Sequence, residues 1–267
     1  MCSSDLAIRM LAPAEDLHLW FRFGDRNFAT WTEPVDACFD RKAIAAEVQL
    51  QATKTNAMWA LTPQGYGYLC IGSWVGVDVA EIERALTQLR GAKGLVIDVR
   101  PNSGGDERLA KRIAAWFVEG TKVYAKHRIR TSAGKDGFGP VGERSVTGNA
   151  DPERRYAGPI VVLTSRAVMS SCESFVLMLR QAPKCTVIGQ PTRGSSGNLQ
   201  PFDLGNGVTA MVPSWQDLRL DGTCFEGEGL PPDIVVACAQ GDAQQGDPLW
   251  KRALQVLSTG AAGGSVR

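Results

Sequence analysis

Short apolar runs alternate with stretches of helical periodicity along most of the chain. Apolar runs bounded by glycine, proline or polar residues are typical of buried strands, whereas apolar residues three or four positions apart are typical of helices. The pattern predicts strands at 67–71, 94–99, 160–163, 185–188 and 233–236, and helices at 79–89, at 106–118, after Ser170 and after Asp247. Because strands that alternate with helices usually form a mostly parallel sheet covered by helices, we expect an α/β core.

The rest of the chain carries weaker patterns. They predict a helix over 8–19 interrupted at Pro13, short aromatic strands over 20–28 and 31–39, a helix over 43–50, a surface loop over 131–157, and a hairpin from 208–212 and 216–220. His127 lies in an alternating run, which indicates an exposed strand. We therefore divide the chain into an N-terminal segment at 1–60, a core at 61–240, and a C-terminal helix at 241–267 with a tail that frays after Gly260.

Composition narrows the class of protein. The 267 residues include 44% hydrophobic residues and carry a formal net charge of +1, which argues against disorder and against a nucleic-acid-binding surface. No apolar run approaches the roughly 18 residues of a membrane-spanning helix. The seven cysteines form no Cys-x-x-Cys pair, which argues against a disulfide framework and a zinc site. The first residues do not resemble a signal peptide, and the sequence does not indicate a location.

Candidate chemistry lies where the strand at 160–163 turns into the next helix. Ser170 and Ser171 stand at the start of that helix, where free backbone N–H groups and the positive end of the helix dipole stabilise an oxyanion. Ser170 is therefore a candidate nucleophile. In the alternative interpretation, Ser170 only caps the helix and Glu173 completes a capping box. Cys172 is a further candidate nucleophile from its chemistry alone.

Linked motifs resemble those of the tail-specific, or C-terminal-processing, serine peptidase family. They are Asp98 to Gly105, Ser170 to Glu173, Thr192 to Gly194 and Gly229 to Asp233, in this order and over most of the chain. The resemblance implies a crotonase/ClpP-like core of repeated strand-strand-helix units. It also implies a serine peptidase that hydrolyses unfolded or C-terminal peptide segments without a cofactor or a metal.

The resemblance assigns the nucleophile to Ser170 rather than to the neighbouring cysteine. The backbone N–H groups of Ser171 and of Gly104 or Gly105 are then the expected oxyanion donors, because glycine lets a backbone approach a carbonyl without a Cβ clash. The alternative for the two glycines is an ordinary turn between strand and helix.

The expected base follows from a tricorn-core-like branch of the family, which carries an early Asp-x-His motif and a glutamate before Gly-x-x-Pro-Asp. His18, with Asp16 before it, matches the base, and Glu226 matches the glutamate, with Glu228 as the fallback or both at the surface. Other members use a Ser–Lys dyad, with lysine after Thr-x-Gly. Ser195 occupies that position here, so the dyad is disfavoured and Ser195 is a secondary candidate with Asp16 and Glu173.

Other functions stay open at this point. Retinoid-binding relatives suggest a non-catalytic module for apolar ligands or peptides. A crotonase-type acyl-CoA enzyme would use similar oxyanion donors, and an inactive, degenerate peptidase is a third alternative.

Many family members insert a PDZ domain after the histidine segment. Since only about 45 residues separate His18 from the next clear strand, we expect none here. The abrupt start also suggests that N-terminal helices of the family are missing. The sequence does not indicate an oligomeric state.

Overall fold

A seven-stranded sheet forms the centre of the computed structural model, which describes residues 3–134, 136–238 and 246–260. In spatial order its strands are β14 (Ile234–Val235), β10 (Cys185–Gly189), β9 (Ile160–Thr164), β6 (Gly94–Asp98), β5 (Tyr66–Ile71), β4 (Ala57–Leu61) and β3 (Gln51–Ala52). Neighbouring strands from β14 to β5 pair in parallel, and β4 and β3 extend the sheet by antiparallel pairing. Strand β4 therefore joins the central sheet across the predicted domain boundary at residue 60.

Helices cover both faces of this sheet. One face packs against α3 (Val79–Leu89), α4 (Glu107–Ala114) and α5 (Ser171–Leu179), and the other against α2 (Arg41–Glu47) and α6 (Pro248–Thr259). Strand β6 shows why, because Leu95 and Ile97 contribute to the first apolar core while Val96 contributes to the second. The predicted α/β core with a mostly parallel sheet is confirmed.

Two smaller sheets flank the core. The four-stranded sheet runs in the order β11 (Leu199–Gly205), β12 (Val208–Pro213), β1 (Trp20–Phe23) and β2 (Arg26–Ala29), and the three-stranded sheet in the order β13 (Trp215–Leu218), β7 (Thr121–Ile129) and β8 (Gly142–Thr147). Helix α1 (Ser3–Leu11) and two short 3-10 helices, Ala12–Ala14 and Pro152–Arg154, complete the described elements. None of the described helices is both long enough and apolar enough to cross a membrane.

Three predictions of local structure are wrong. Residues 131–157 are not only a loop, because β8 forms there by pairing with β7 and buries Arg144 against Asp217. Residues 208–220 do not form one hairpin, since β12 pairs with β11 and β1 while β13 pairs with β7. Residues 31–39 form no strand. The predicted fraying after Gly260 concerns residues outside the described part of the chain.

A disulfide joins two distant segments and corrects the prediction from cysteine spacing. Cys38 and Cys238 are 200 positions apart, and their Cα atoms are 5.3 Å apart. Cys38 precedes α2, and Cys238 follows β14 at the edge of the central sheet. The fold brings these segments together, and no local spacing could show it.

A buried ion cluster lies beside the same segment. The Arg100 guanidinium is fully buried and contacts Asp98 at 2.6 Å and Asp247 at 2.8 Å, and it also donates to the carbonyl oxygen of Cys38. Asp247 in turn accepts the N–H groups of Leu249 and Trp250 and caps α6. The cluster therefore links the end of β6 to α6 and to the segment before α2.

We expect reduction of the Cys38–Cys238 disulfide to lower the free energy of unfolding by about 2–5 kcal/mol, because the bond closes a very long loop in the unfolded chain. Urea unfolding with and without a phosphine reductant measures the change. The double variant Cys38→Ser/Cys238→Ser should match the reduced protein and not respond to the reductant. Equal unfolding midpoints for the oxidised and reduced wild type would contradict this expectation.

Candidate active site

The chain enters α5 through a residue in an unusual backbone conformation. Ser170 precedes the helix with φ 56° and ψ −132°, a combination that residues other than glycine rarely adopt. Its N–H donates to the carbonyl oxygen of Ser195 at 2.7 Å, so a distant loop holds the turn. Ser170 is half-buried and lies at the positive end of α5. Ser171 is the first helical residue, and the helix itself offers no acceptor for its N–H.

Glu173 binds four donors with one fully buried carboxylate. It accepts hydrogen bonds from Thr192 Oγ1 at 2.5 Å, from the N–H groups of Gly194 at 2.7 Å and Ser195 at 3.0 Å, and from the Ser170 N–H at 3.2 Å. The Ser170 bond is the glutamate half of the predicted capping box, and the other three hold residues 192–195 against α5. Burial raises the pKa of Glu173 to about 7, although the hydrogen bonds oppose this shift.

His18 lies just before β1, in a tight turn. Its N–H donates to Oδ1 of Asp16 at 2.8 Å, and its side chain is buried, with 5% exposed. Strand β1 pairs with β12, and β12 pairs with β11, which begins directly after the loop that contains Ser195. The pairing in this sheet places His18, near the N-terminus, beside the loop that contains Ser195. Burial lowers the pKa of His18, and the Asp16 charge partly opposes this shift.

The imidazole of His18 contacts Ser195 rather than Ser170. The distance from Ser195 Oγ to His18 Nδ1 is 2.7 Å, and no hydrogen bond joins His18 to Ser170 among the residues that the structure describes. Ser195 nevertheless brings the two together, since its carbonyl oxygen accepts the Ser170 N–H. The secondary candidate Ser195 thus occupies a central position.

Glu226 lies beside His18, whereas Glu228 does not take part in this group. A carboxylate oxygen of Glu226, one of Asp16 and a ring nitrogen of His18 all lie within 4.8 Å of one another. Oε2 of Glu226 also accepts from the N–H of Ser196 at 2.9 Å and from its hydroxyl at 2.7 Å. Although the residue as a whole is exposed, partial burial of its carboxylate raises the pKa of Glu226, and the charges of Asp16 and Asp217 add to the shift. Glu228 is exposed and lies 3.8 Å from Arg219 in a surface ion pair.

The two predicted oxyanion glycines have different neighbours. A Cβ on Gly104 would lie 2.8 Å from the Cβ of Ser170 and 3.3 Å from the Ser171 nitrogen, so the loop after β6 approaches the start of α5 closely. The Gly104 N–H donates to Oδ1 of Asn102 at 2.8 Å. A Cβ on Gly105 would instead meet the backbone of Trp74 at 2.5 Å. Gly104 is therefore the glycine beside Ser170. Gly105 lets the loop after β6 pack against the backbone of Trp74, in the segment that follows β5.

The motifs that are separate in sequence form one cluster. Thr192 Oγ1 donates to Glu173 and accepts the Leu230 N–H at 2.7 Å. A Cβ on Gly229 would lie 2.1 Å from the Thr192 carbonyl oxygen, and one on Gly194 would lie 2.4 Å from the Gly229 nitrogen. Sequence reasoning singled out neither Thr192 nor Ser196 as a site residue. The Thr-x-Gly motif could have indicated Thr192, whereas nothing in the sequence indicated Ser196.

We expect Glu173→Gln to change how stability depends on pH. A carboxyl whose pKa rises from 4.5 to about 7 on folding binds protons more strongly in the folded state, so the wild type should lose up to about 3 kcal/mol of unfolding free energy as the pH rises through this interval. Glutamine does not titrate, so the variant should lack this loss, although it is less stable overall.

Urea unfolding at several pH values between 4.5 and 7 measures this difference. Glu119→Gln, which changes an exposed glutamate, should keep the wild-type dependence. A Glu173→Gln variant whose stability follows the wild-type curve in parallel would show that Glu173 is not the titrating group.

Comparisons with known proteins identify the family of the chain. The sequence model of peptidase family S41 matches residues 65–236. The carboxy-terminal processing protease CtpA of Bacillus subtilis (strain 168) is 26% identical over 204 residues, which cover 75% of this chain and 39% of that protein. The carboxyl-terminal-processing protease of Synechocystis sp. is 28% identical over 210 residues, which cover 73% of this chain and 46% of that protein. The chain thus spans less than half the length of these curated relatives.

Solved structures confirm the predicted fold class. A protein from Parabacteroides merdae superposes with a TM-score of 0.84 at 24% identity, covering 99% of this chain and 86% of that one. The photosystem II D1 C-terminal processing protease gives a TM-score of 0.57 at 22% identity, over 79% of this chain and 54% of that one. The tricorn protease gives 0.56 at 21% identity, over 74% of this chain and 18% of that one. Because the family model matches well over half of its residues, the chain belongs to peptidase family S41.

Proposed function

We propose that this chain is the catalytic core of a serine peptidase that hydrolyses unfolded or C-terminal peptide segments. The observation that carries the proposal is the position of Ser195, whose hydroxyl contacts the His18 ring while its carbonyl oxygen accepts the Ser170 N–H. A buried imidazole is thereby linked through Ser195 to the serine at the start of α5. Membership of the family and the names of the relatives, which are carboxy-terminal processing proteases, support the class of reaction.

In this proposal Ser170 is the nucleophile and His18 is the general base. When the Nδ1–H of His18 donates to Ser195 Oγ, the lone pair of the neutral ring is on Nε2. Nε2 takes the proton of the Ser170 hydroxyl as its oxygen attacks the peptide carbonyl, and it returns the proton to the leaving amine. The direct hydrogen bond between Ser170 and His18 forms with substrate, because such catalytic bonds often tighten only in the substrate complex.

Exposure favours Ser170 over Ser195 as the attacking group. Ser195 is only 4% exposed, so a peptide carbonyl could reach its oxygen only after the loop moved. Ser170 is half-buried and adjoins the Ser171 N–H. A carbonyl oxygen at Ser170 would meet this donor, which stabilises a tetrahedral intermediate. The Gly104 N–H could add to it only after leaving Oδ1 of Asn102.

The two carboxylates beside the base support its protonated state. Asp16 and Glu226 lie in the same small group as the His18 ring. When the ring accepts the serine proton, their negative charges stabilise the imidazolium ion. We therefore assign Glu226, Asp16 and Ser195 as groups that position and polarise the base.

We expect Ser170→Ala to reduce hydrolysis of an unfolded protein such as reduced casein by at least about a thousandfold, because the covalent step is lost. Ser195→Ala should lower kcat by about 10- to 100-fold with little change in KM, because the base loses its orienting partner. Both activities are measured with the full chain. A fluorophosphonate, which labels activated serines, should modify Ser170 in the wild type and in Ser195→Ala.

The labelled residue decides between the two serines and between enzyme and binding module. Peptide mapping that finds the label on Ser195, with Ser170→Ala still labelled, would reassign the nucleophile to Ser195. Absence of both labelling and hydrolysis in a folded wild type would favour a non-catalytic module for peptides or apolar ligands.

We expect the acidic limb of the kcat/KM profile to have its midpoint below pH 6.5, because burial lowers the pKa of His18 and the base must be neutral. Asp16→Asn should move the limb further toward acid, because the charge that raises the pKa of His18 is gone. The amide oxygen still accepts the His18 N–H. Asp25→Asn, at the exposed turn between β1 and β2, is the matched control and should not move the limb. A shift of the Asp16→Asn limb toward higher pH would exclude this arrangement.

A further inference from the structure

The residues around the base have the donor set of a transition-metal site. One ring nitrogen of His18 and one carboxylate oxygen each from Asp16 and Glu226 lie within 4.8 Å of one another. An imidazole with two carboxylates is a set that Zn²⁺ accepts, and three protein ligands leave its fourth position to water. Glu226 is exposed and Asp16 is half-buried, so an ion can reach the group from solvent.

The charges of this group also favour a bound cation. Neither Asp16 nor Glu226 has a lysine or arginine partner among the described residues. The carboxylate of Asp217 is also near Glu226, but Arg144 pairs with it, so the unpaired carboxylates are those of Asp16 and Glu226. Adjacent carboxylates without a cation repel each other, and a divalent ion between them removes the repulsion.

The hydrogen bonds of the two carboxylates leave room for an ion. Oδ1 of Asp16 accepts the His18 N–H, and Oε2 of Glu226 accepts from Ser196. Each carboxylate keeps a second oxygen that forms no hydrogen bond with the residues described. Zinc holds nitrogen and oxygen ligands at about 2.0–2.2 Å, so ligands in a tetrahedral site are roughly 3.4 Å apart. The ligand atoms, which lie within 4.8 Å of one another, therefore have to approach by up to about 1.4 Å, and the exposed Glu226 side chain can supply this movement.

We propose that Zn²⁺ binds reversibly to Asp16, His18 and Glu226 and blocks the general base. A neutral imidazole has one lone pair for a proton or a metal ion. Coordination at either ring nitrogen therefore leaves no nitrogen that can accept the Ser170 proton. Zinc binding itself stands on the ligand geometry, whereas the inhibition rests on the proposed peptidase function.

A second group of possible ligands defines the main control. Asp36, Cys38 and Cys238 also lie within 4.8 Å of one another, but the two sulfurs are joined in a disulfide and offer no thiolate. Measurements without reductant keep this disulfide intact, so the two cysteines cannot bind zinc as thiolates. Cys224, which is partly exposed and two positions before Glu226, is removed as a competing ligand by Cys224→Ser.

Calorimetric titration of the full chain with zinc sulfate, without reductant, tests binding. We expect one zinc ion per chain in the wild type, in Asp36→Asn, in Cys224→Ser and in Ser170→Ala. His18→Ala and Glu226→Gln should weaken binding at least tenfold. Magnesium and calcium, which prefer all-oxygen sites, should not compete at a hundredfold excess. Circular dichroism verifies that each variant is folded.

Inhibition is measured separately from binding. Hydrolysis by the wild type should fall as the zinc site fills and return with EDTA. Zinc affinity unchanged in His18→Ala or lost in Cys224→Ser, or equal displacement by magnesium, would overturn the proposal. Stoichiometric zinc binding that depends on His18 in a protein that hydrolyses nothing would instead overturn the peptidase function and leave the metal site standing.

Discussion

The buried carboxylate of Glu173 is the constraint on which the rest of the site depends. A carboxylate taken out of water is unstable unless several donors replace its hydration, and Glu173 obtains them from the start of its own helix and from residues 192–195. Its pKa of about 7 shows that the donors offset the burial only in part. Because the donors come from separate segments, the buried carboxylate finds all of its partners only when those segments meet. The same contacts hold Ser195 against Ser170, so the capping interpretation of this helix start is compatible with its proposed catalytic role.

Delivery of the histidine depends on long-range strand pairing rather than on local sequence. His18 is placed by β1, whose residues Trp20 and Phe23 pair with Met211 and Val208 of β12. The adjoining strand β11 begins just after the loop that holds Ser195. One small sheet thus fixes both members of the His18–Ser195 contact. A shift of the β1 register by one residue would turn every side chain to the opposite face and move the imidazole away from Ser195.

The sequence predicts an element well where the element's own residues determine its burial. Strand β6 is an apolar run up to Asp98, and α6 begins with the Asp247-Pro248 pair that favours a helix start, so both were predictable. Strand β8 was not, because its Arg144 is buried by contacts with residues of other elements, such as Asp217 on β13 and Ser174 on α5. The Cys38–Cys238 disulfide and the Ser195–His18 contact could not be predicted from the sequence for the same reason. In each case the decisive partner lies far away in the chain, and only the assembled sheets bring it near.

Position 195 can contribute to catalysis in two ways, either by carrying a lysine base or by orienting a histidine base. In the family pattern this position carries the lysine of a Ser–Lys dyad, and here a serine stands there. A serine cannot act as that base, because its hydroxyl has no lone pair of comparable basicity near neutral pH. It can, however, orient an imidazole that arrives from elsewhere, and its 2.7 Å contact with Nδ1 has the required geometry. In the proposed mechanism, a chain without this lysine takes its base from the N-terminal segment that carries His18. The Glu173 carboxylate, which accepts the Ser195 N–H, thus holds the partner of the proposed base as well as the helix start.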